Sequence, residues 1–189
     1  MHTHYFELRA IPQIEITEVN VVNQVMQKLH QVLVNFQGNL GISFPCYNVR
    51  RTLGGIIRIF GTEAELQEFK SALQQQAAIA DYVLILPITA IPAEVKGYLR
   101  LIRVNPKGQS ALRRAEKRLT AQGKWSTDVK QKMVDKWGSV NLTYPHLHFY
   151  SQSTEQSFIL WIKQEKSSTA VEGVFNSYGL SKTATVPDF

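Results

Sequence analysis

Histidine is the side chain whose ordinary pKa lets it take up and release a proton near neutral pH, and this chain has five: His2, His4, His30, His146 and His148. Cleaving an RNA phosphodiester through its own 2′-hydroxyl needs that hydroxyl deprotonated and the leaving 5′-oxygen protonated, and imidazole suits both steps. His2 and His4 lie at the N-terminus and are expected to be mobile. His146 and His148 flank a short apolar run behind Pro145 and are expected to be exposed. His30 alone sits in a strongly patterned helix. On that pattern it reads as a packing residue at the edge of an apolar stripe, with proton transfer as the sharper alternative. Ser151 and Ser153 bracket Gln152. If the segment is extended, alternation points both hydroxyls the same way, although an ordinary polar turn fits the spacing as well. Phe158, Trp161 and Tyr178 can stack on bases or fill a core.

Other chemistries find little support. There is no G-x-S-x-G elbow for acyl transfer, no G-x-x-x-x-G-K-[ST] phosphate loop, and no carboxylate cluster for two metal ions. The single cysteine, Cys46, can make neither an internal disulfide nor a cysteine-based metal site, and a reducing cytoplasm is the expected setting. No run of apolar residues is long enough to span a bilayer, and the N-terminus lacks the charged and apolar regions of a secretory signal.

Positive charge is concentrated. Residues 96–132 hold eleven lysines and arginines against two acids, Glu116 and Asp128, while the whole chain is only +6, so the remainder is net negative. A focused basic field attracts a polyanion, most commonly nucleic acid, and a solvated basic face is the plainer possibility. Within the segment, Arg113, Arg114, Lys117 and Arg118 fall at i, i+1, i+4 and i+5, which on a helix confines them to a sector of roughly 140°. Like charges at that spacing repel, so they do not stabilise the helix and are better matched to a row of phosphates.

The elements that must position these residues follow from periodicity. Residues 4–9 alternate as a half-buried strand. A helix over 18–36 carries Val22, Val25, Met26, Leu29, Leu33 and Phe36 in one stripe and ends at Gly38. Strands follow at 40–44 and 56–60, separated by a polar loop with Arg50 and Arg51. Thr62 and Glu65 form a capping box for a helix with Leu66, Phe69 and Leu73 on one face, and 82–86 reads as a compact buried strand. Strand, helix, strand, strand, helix, strand is the ferredoxin-like pattern. The Pro-bearing stretch Ile88–Glu94 reads as a linker, so the expected organisation is α+β, with a ferredoxin-like domain at 1–90 and a less regular α/β domain at 95–189 that exposes a basic helix. In that second part, strands are expected at 98–104, 147–150 and 157–163. Helices are expected through ALRRAEKRL, capped by Ser110, and over 126–137, carrying Val129, Met133 and Trp137. Phe-Asn-Ser-Tyr-Gly-Leu-Ser-Lys at 175–182 reads as a glycine-bearing turn.

Several strings coincide in one family. KLHQVLV at 28–34, GISFP at 41–45, RVNPK at 103–107 with the basic helix after it, SQST at 151–154 with Phe158, and YGLSK at 178–182 occur in that order over nearly the whole chain. The chain thereby resembles the CRISPR-associated endoribonucleases that process precursor CRISPR RNA in type I-F (Csy-type) systems. The resemblance implies binding of the CRISPR repeat stem-loop and a single cut at its 3′ base without metal or cofactor. The cut leaves a 2′,3′-cyclic phosphate and a 5′-hydroxyl, and the protein is retained on the mature guide within a surveillance complex of other subunits, with no membrane role. It places the proton acceptor at His30 and the serine that positions the attacking hydroxyl at Ser151, with Ser153 and Tyr178 in support, Tyr178 orienting the imidazole. Phe158 corresponds to the aromatic that stacks under the closing base pair, and Arg103 to the arginine that reads a guanine. Asn105, Lys107 and Gln152, inside the matched strings, join the RNA-binding set with Arg113, Arg114, Lys117 and Arg118. The family's prototype has glutamine where this chain has the shorter Asn105, and a more arginine-dense helix, so a different repeat preference is expected. A subunit that holds a processed guide without cutting it is the alternative function. A DNA-binding regulator is a third, disfavoured by the lack of a clear helix-turn-helix.

Overall fold

The computed structural model describes residues 2–11, 14–47, 52–75, 81–105, 109–138, 144–151 and 155–189. The first half is built from β1 (His4–Ala10), α1 (Glu18–Leu33), β2 (Gly41–Ser43), β3 (Ile56–Gly61), α2 (Glu63–Gln74) and β4 (Val83–Ile85). This succession is the split βαβ, ferredoxin-like one. The strands form an antiparallel sheet in the order β2-β3-β1-β4. A further two-residue strand, β5 (Thr89–Ala90), pairs with His4 and Tyr5 of β1, so the stretch expected as a linker contributes to the sheet.

Local chemistry accounts for the two helices. Thr17 caps α1 by accepting from the Asn20 amide, and Val21, Val22, Val25, Met26, Leu29, Val32 and Leu33 are buried along one face. The last turn tightens into a 3-10 turn over Val34–Phe36, after which Gln37 and Gly38 both have positive φ and reverse the chain. Gly38 meets a second demand: a side chain there would collide with Val174 and the Phe175 carbonyl of a distant loop. Thr62 and Glu65 make the expected capping box on α2, and Leu66, Phe69 and Leu73 are buried.

Two expectations need correction here. β4 is not buried on both faces: it is an edge strand, with Val83 in the core and Leu84 55% exposed. α3 (Gln109–Ala121) takes in Ser110, the residue expected to precede it, as its second residue.

The second half comprises β6 (Gly97–Val104), α3, α4 (Thr127–Gly138), β7 (His146–Ser151), β8 (Gln156–Ser167) and β9 (Val186–Asp188). Its strands form a second antiparallel sheet, β7-β8-β6-β9. β8 runs four residues past the apolar string that predicted it, because pairing with β6 continues through Gln164, Glu165, Lys166 and Ser167. Leu99, Leu101, Leu147, Phe149, Leu160 and Ile162 turn inward, as period-two alternation requires.

The inward faces of the two sheets and the apolar stripes of α1 and α2 belong to one continuous core. Polar ties cross between the halves. Tyr47 donates its hydroxyl to the Ile162 carbonyl at 2.9 Å and accepts the Gln164 amide at 3.2 Å. Asn23 of α1 accepts the His148 amide at 3.0 Å on the edge of β7. On β1 and β3, Glu7 is gripped by Arg58 and Arg9, and the Arg58 guanidinium lies 4.0 Å above the Phe189 ring. Among the described residues, no helix is long and apolar enough to cross a membrane.

Candidate active site

α1 delivers His30 to the seam between the halves. The residue sits in the last turn, one step past the fully buried Leu29, so its ring leaves the core but stays half-buried. From the other half, the turn at 176–180 approaches the same point. The His30 Nδ1 lies 2.7 Å from the Ser177 carbonyl oxygen. A carbonyl can only accept, so Nδ1 must carry the proton. In the neutral imidazole Nε2 is then the bare nitrogen and can act as a proton acceptor.

Aromatic rings fix the plane of the imidazole. Tyr178, itself buried, stacks on His30 with centroids 4.2 Å apart and planes 8° apart. Phe149 of β7 meets His30 edge-on at 6.0 Å and Tyr178 edge-on at 5.2 Å, and stacks on Phe158 of β8 at 5.6 Å. Beside them the Arg103 guanidinium lies 5.4 Å from the Phe158 centroid and 5.3 Å from that of Tyr178, and donates to Asn105 Oδ1 at 3.3 Å. A cation held against two rings, with an exposed partner just past its strand, leaves polar and π surfaces side by side.

The rings of His30, Phe149, Phe158 and Tyr178 border a cavity of about 280 Å³. His30, Ser151, Phe158 and Tyr178, singled out from sequence, all line it. Arg103 stands next to it through its contacts with the Phe158 and Tyr178 rings, and Asn105 is hydrogen-bonded to Arg103. Arg113, Arg114, Lys117 and Arg118 do not line it: they lie exposed on α3, whose Ala115 is buried. Lys107, Gln152 and Ser153 fall outside the described residues, as do Arg50 and Arg51.

Sequence reasoning missed Phe149, Gln27, Gln31 and the Ser177 carbonyl. Gln27 and Gln31 flank His30 at the cavity, and their four-residue spacing on the same helix was a readable signal. A backbone carbonyl carries no such signal.

The other histidines have different surroundings. His2 is packed rather than free at the terminus: its ring lies against Phe60 and Phe175 and it hydrogen-bonds the Asn39 carbonyl at 2.9 Å, and burial pushes its pKa down. His146 packs on Trp161 at 4.4 Å and on His148 at 5.4 Å, away from the cavity, so Trp161 is engaged in that cluster. Among the described residues, no three His, Cys, Asp or Glu side chains converge as a metal site would require.

The structure thus defines an α+β protein with two antiparallel sheets, a histidine-centred cavity at their seam and a basic helix to one side. A family model described as "CRISPR-associated protein (Cas_Csy4)" matches residues 5–189, and the chain belongs to that family. It is 33% identical over 201 residues to the CRISPR-associated endonuclease Cas6/Csy4 of Escherichia coli (strain UTI89 / UPEC), covering 98% of this chain and 99% of the relative. It is 30% identical over 189 residues to the CRISPR-associated endonuclease Cas6/Csy4 of Pseudomonas aeruginosa (strain UCBPP-PA14), again covering 98% of this chain and 99% of the relative.

Proposed function

We propose that the protein is an endoribonuclease that processes CRISPR RNA, binding the repeat stem-loop and cutting once at its 3′ base without a metal ion. The observation that carries this reading is the hydrogen bond from His30 Nδ1 to the Ser177 carbonyl, which in the neutral imidazole makes Nε2 the proton acceptor, at a cavity also lined by Ser151. Membership of the Csy4 family and the endonuclease relatives support it.

The chemistry runs as an internal transfer. Ser151, with Ser153 in a supporting role, holds the 2′-hydroxyl, and Nε2 of His30 takes its proton as the 2′-oxygen bonds to phosphorus. The bond from phosphorus to the 5′-oxygen breaks, and that oxygen is protonated by the imidazolium or by water. The products are a 2′,3′-cyclic phosphate and a 5′-hydroxyl. Phe158 stacks under the closing base pair, and Arg103 with Asn105 reads an adjacent base edge. The exposed cations of α3 hold the stem's phosphates, aided by Lys107 and Gln152, which positions the RNA without reading it. In this scheme the N-terminal half supplies the base and the C-terminal half most of the RNA surface. The protein then stays on the processed guide, where other subunits of the complex can join it.

Purified protein incubated with an end-labelled repeat hairpin in EDTA tests this directly. The expected result is one cut at the 3′ base of the stem and a cyclic-phosphate terminus. Cleavage that appears only with added Mg²⁺ contradicts the mechanism, and tight binding with no product would make the protein a holder of guide RNA instead.

A further inference from the structure

The peptide unit between Ser177 and Tyr178 is a single rigid plane, so fixing its N–H fixes the direction of its carbonyl. That carbonyl is the one bound by His30, and the N–H on the same plane goes to the side chain of Asn176. Asn176 Oδ1 accepts the Tyr178 amide at 2.8 Å and the Leu180 amide at 3.2 Å. The main chain of Asn176 closes the same turn, donating to the Leu180 carbonyl at 2.8 Å and accepting the Gly179 amide at 2.8 Å. Both residues of this turn that touch the imidazole, Ser177 by its carbonyl and Tyr178 by its ring, are thereby tied to one side chain.

The turn is also anchored on its far side. The Gly179 carbonyl accepts the Ile42 amide of β2 at 2.9 Å, and the Ser181 amide donates to Leu101 of β6 at 2.9 Å. These bonds place the turn, and neither is made by the Ser177–Tyr178 peptide plane. Among the described residues, only the Asn176 side chain holds the N–H edge of that plane. Without it the Tyr178 amide loses the acceptor that orients this plane.

We infer that Asn176 is a positioning residue for RNA cleavage: by holding the Tyr178 amide it aims the Ser177 carbonyl at His30 Nδ1 and so decides which imidazole nitrogen is free to accept a proton. This rests on the reading of His30 as the base. It separates two tasks within one turn, since Asn176 does not itself line the cavity and acts on His30 through Ser177 and Tyr178.

The test uses Asn176→Ala, which removes the acceptor, and Asn176→Asp, which keeps it. Three quantities are read on each: the single-turnover rate on bound hairpin, the hairpin Kd, and the imidazole tautomer of His30 by nitrogen NMR of labelled histidine. A misdirected base forfeits on the order of tenfold to a hundredfold in rate. Asn176→Ala is expected to lose about that much, to bind the hairpin within about twofold of the parent, and to show His30 as a mixture of tautomers. Asn176→Asp is expected to restore most of the rate and the single Nδ1–H form. The inference is overturned if Asn176→Ala cleaves at the parental rate, if it keeps a pure Nδ1–H tautomer, if binding falls in step with rate, or if Asn176→Asp is as slow as Asn176→Ala. A His30→Ala control in the same series isolates the other possibility. If that variant still cleaves, the functional reading fails, while the tautomer measurement still decides what Asn176 holds.

Discussion

Replacing Tyr178 separates what its ring does from what its hydroxyl does. The ring lies 4.2 Å from His30 in a near-parallel stack, meets Phe149 edge-on at 5.2 Å, and sits 5.3 Å from the Arg103 guanidinium. Truncating a buried aromatic to alanine costs about 3–5 kcal/mol, and aromatic pairs of this geometry contribute about 0.5–1.5 kcal/mol each to that figure. For a chain of this size such a loss lowers Tm by roughly 6–20 °C. Tyr178→Ala is therefore expected to unfold well below the parent and, at a temperature where it is still folded, to cleave at least about tenfold more slowly because the imidazole loses its stacking partner. Tyr178→Phe keeps every ring contact and is expected to stay within about 1 kcal/mol of the parent and within a few-fold of its rate. Thermal unfolding followed by single-turnover cleavage on labelled hairpin measures both. A Tyr178→Phe variant as slow as Tyr178→Ala would refute the reasoning, because the hydroxyl and not the stack would then be what His30 depends on.

The remaining predictions concern stability and binding. Burial alone would raise the Glu7 carboxyl, but hydrogen bonds and charge from Arg58 and Arg9 outweigh it and hold it below its ordinary value of 4.5. A carboxyl lowered in the folded state contributes stability that is complete above that ordinary value and is lost as pH falls through the folded value. Denaturant titrations across that acid range should show the decline, and Arg58→Ala should remove much of it while costing about 3 kcal/mol at neutral pH by leaving a buried charge short of a partner. On α3, Arg113→Ala with Lys117→Ala should weaken hairpin binding and reduce the slope of log affinity against log salt by about 2, one for each phosphate no longer neutralised. An unchanged slope in filter-binding titrations would place those side chains off the RNA.

The parts of the fold that were legible in the sequence are the ones determined by near neighbours. The Thr62–Glu65 capping box spans three residues, and the stripe from Val22 to Leu33 repeats at helical spacing, so both could be read directly. The exposure of Leu84 could not be, because an apolar string does not say whether its strand lies at a sheet's edge. The burial of His2 depends on Phe60 and Phe175, which only the folded chain brings to it. The same division holds at the site. His30, Ser151, Phe158 and Tyr178 were named from residue strings, and the structure gathers them around one cavity. What the strings could not show is the hydrogen bond that places the imidazole proton of His30 on Nδ1. It joins residues 147 positions apart, and its acceptor is a main-chain carbonyl that any residue at position 177 would supply.

The central claim is that Nε2 of His30 takes the proton from the attacking hydroxyl, and His30→Ala on the labelled repeat hairpin tests it most directly. General-base catalysis contributes roughly 10²–10⁴ in rate, so cleavage should fall at least about a hundredfold while the hairpin Kd stays within about twofold of the parent. A His30→Ala protein that cleaves at the parental rate would contradict the account.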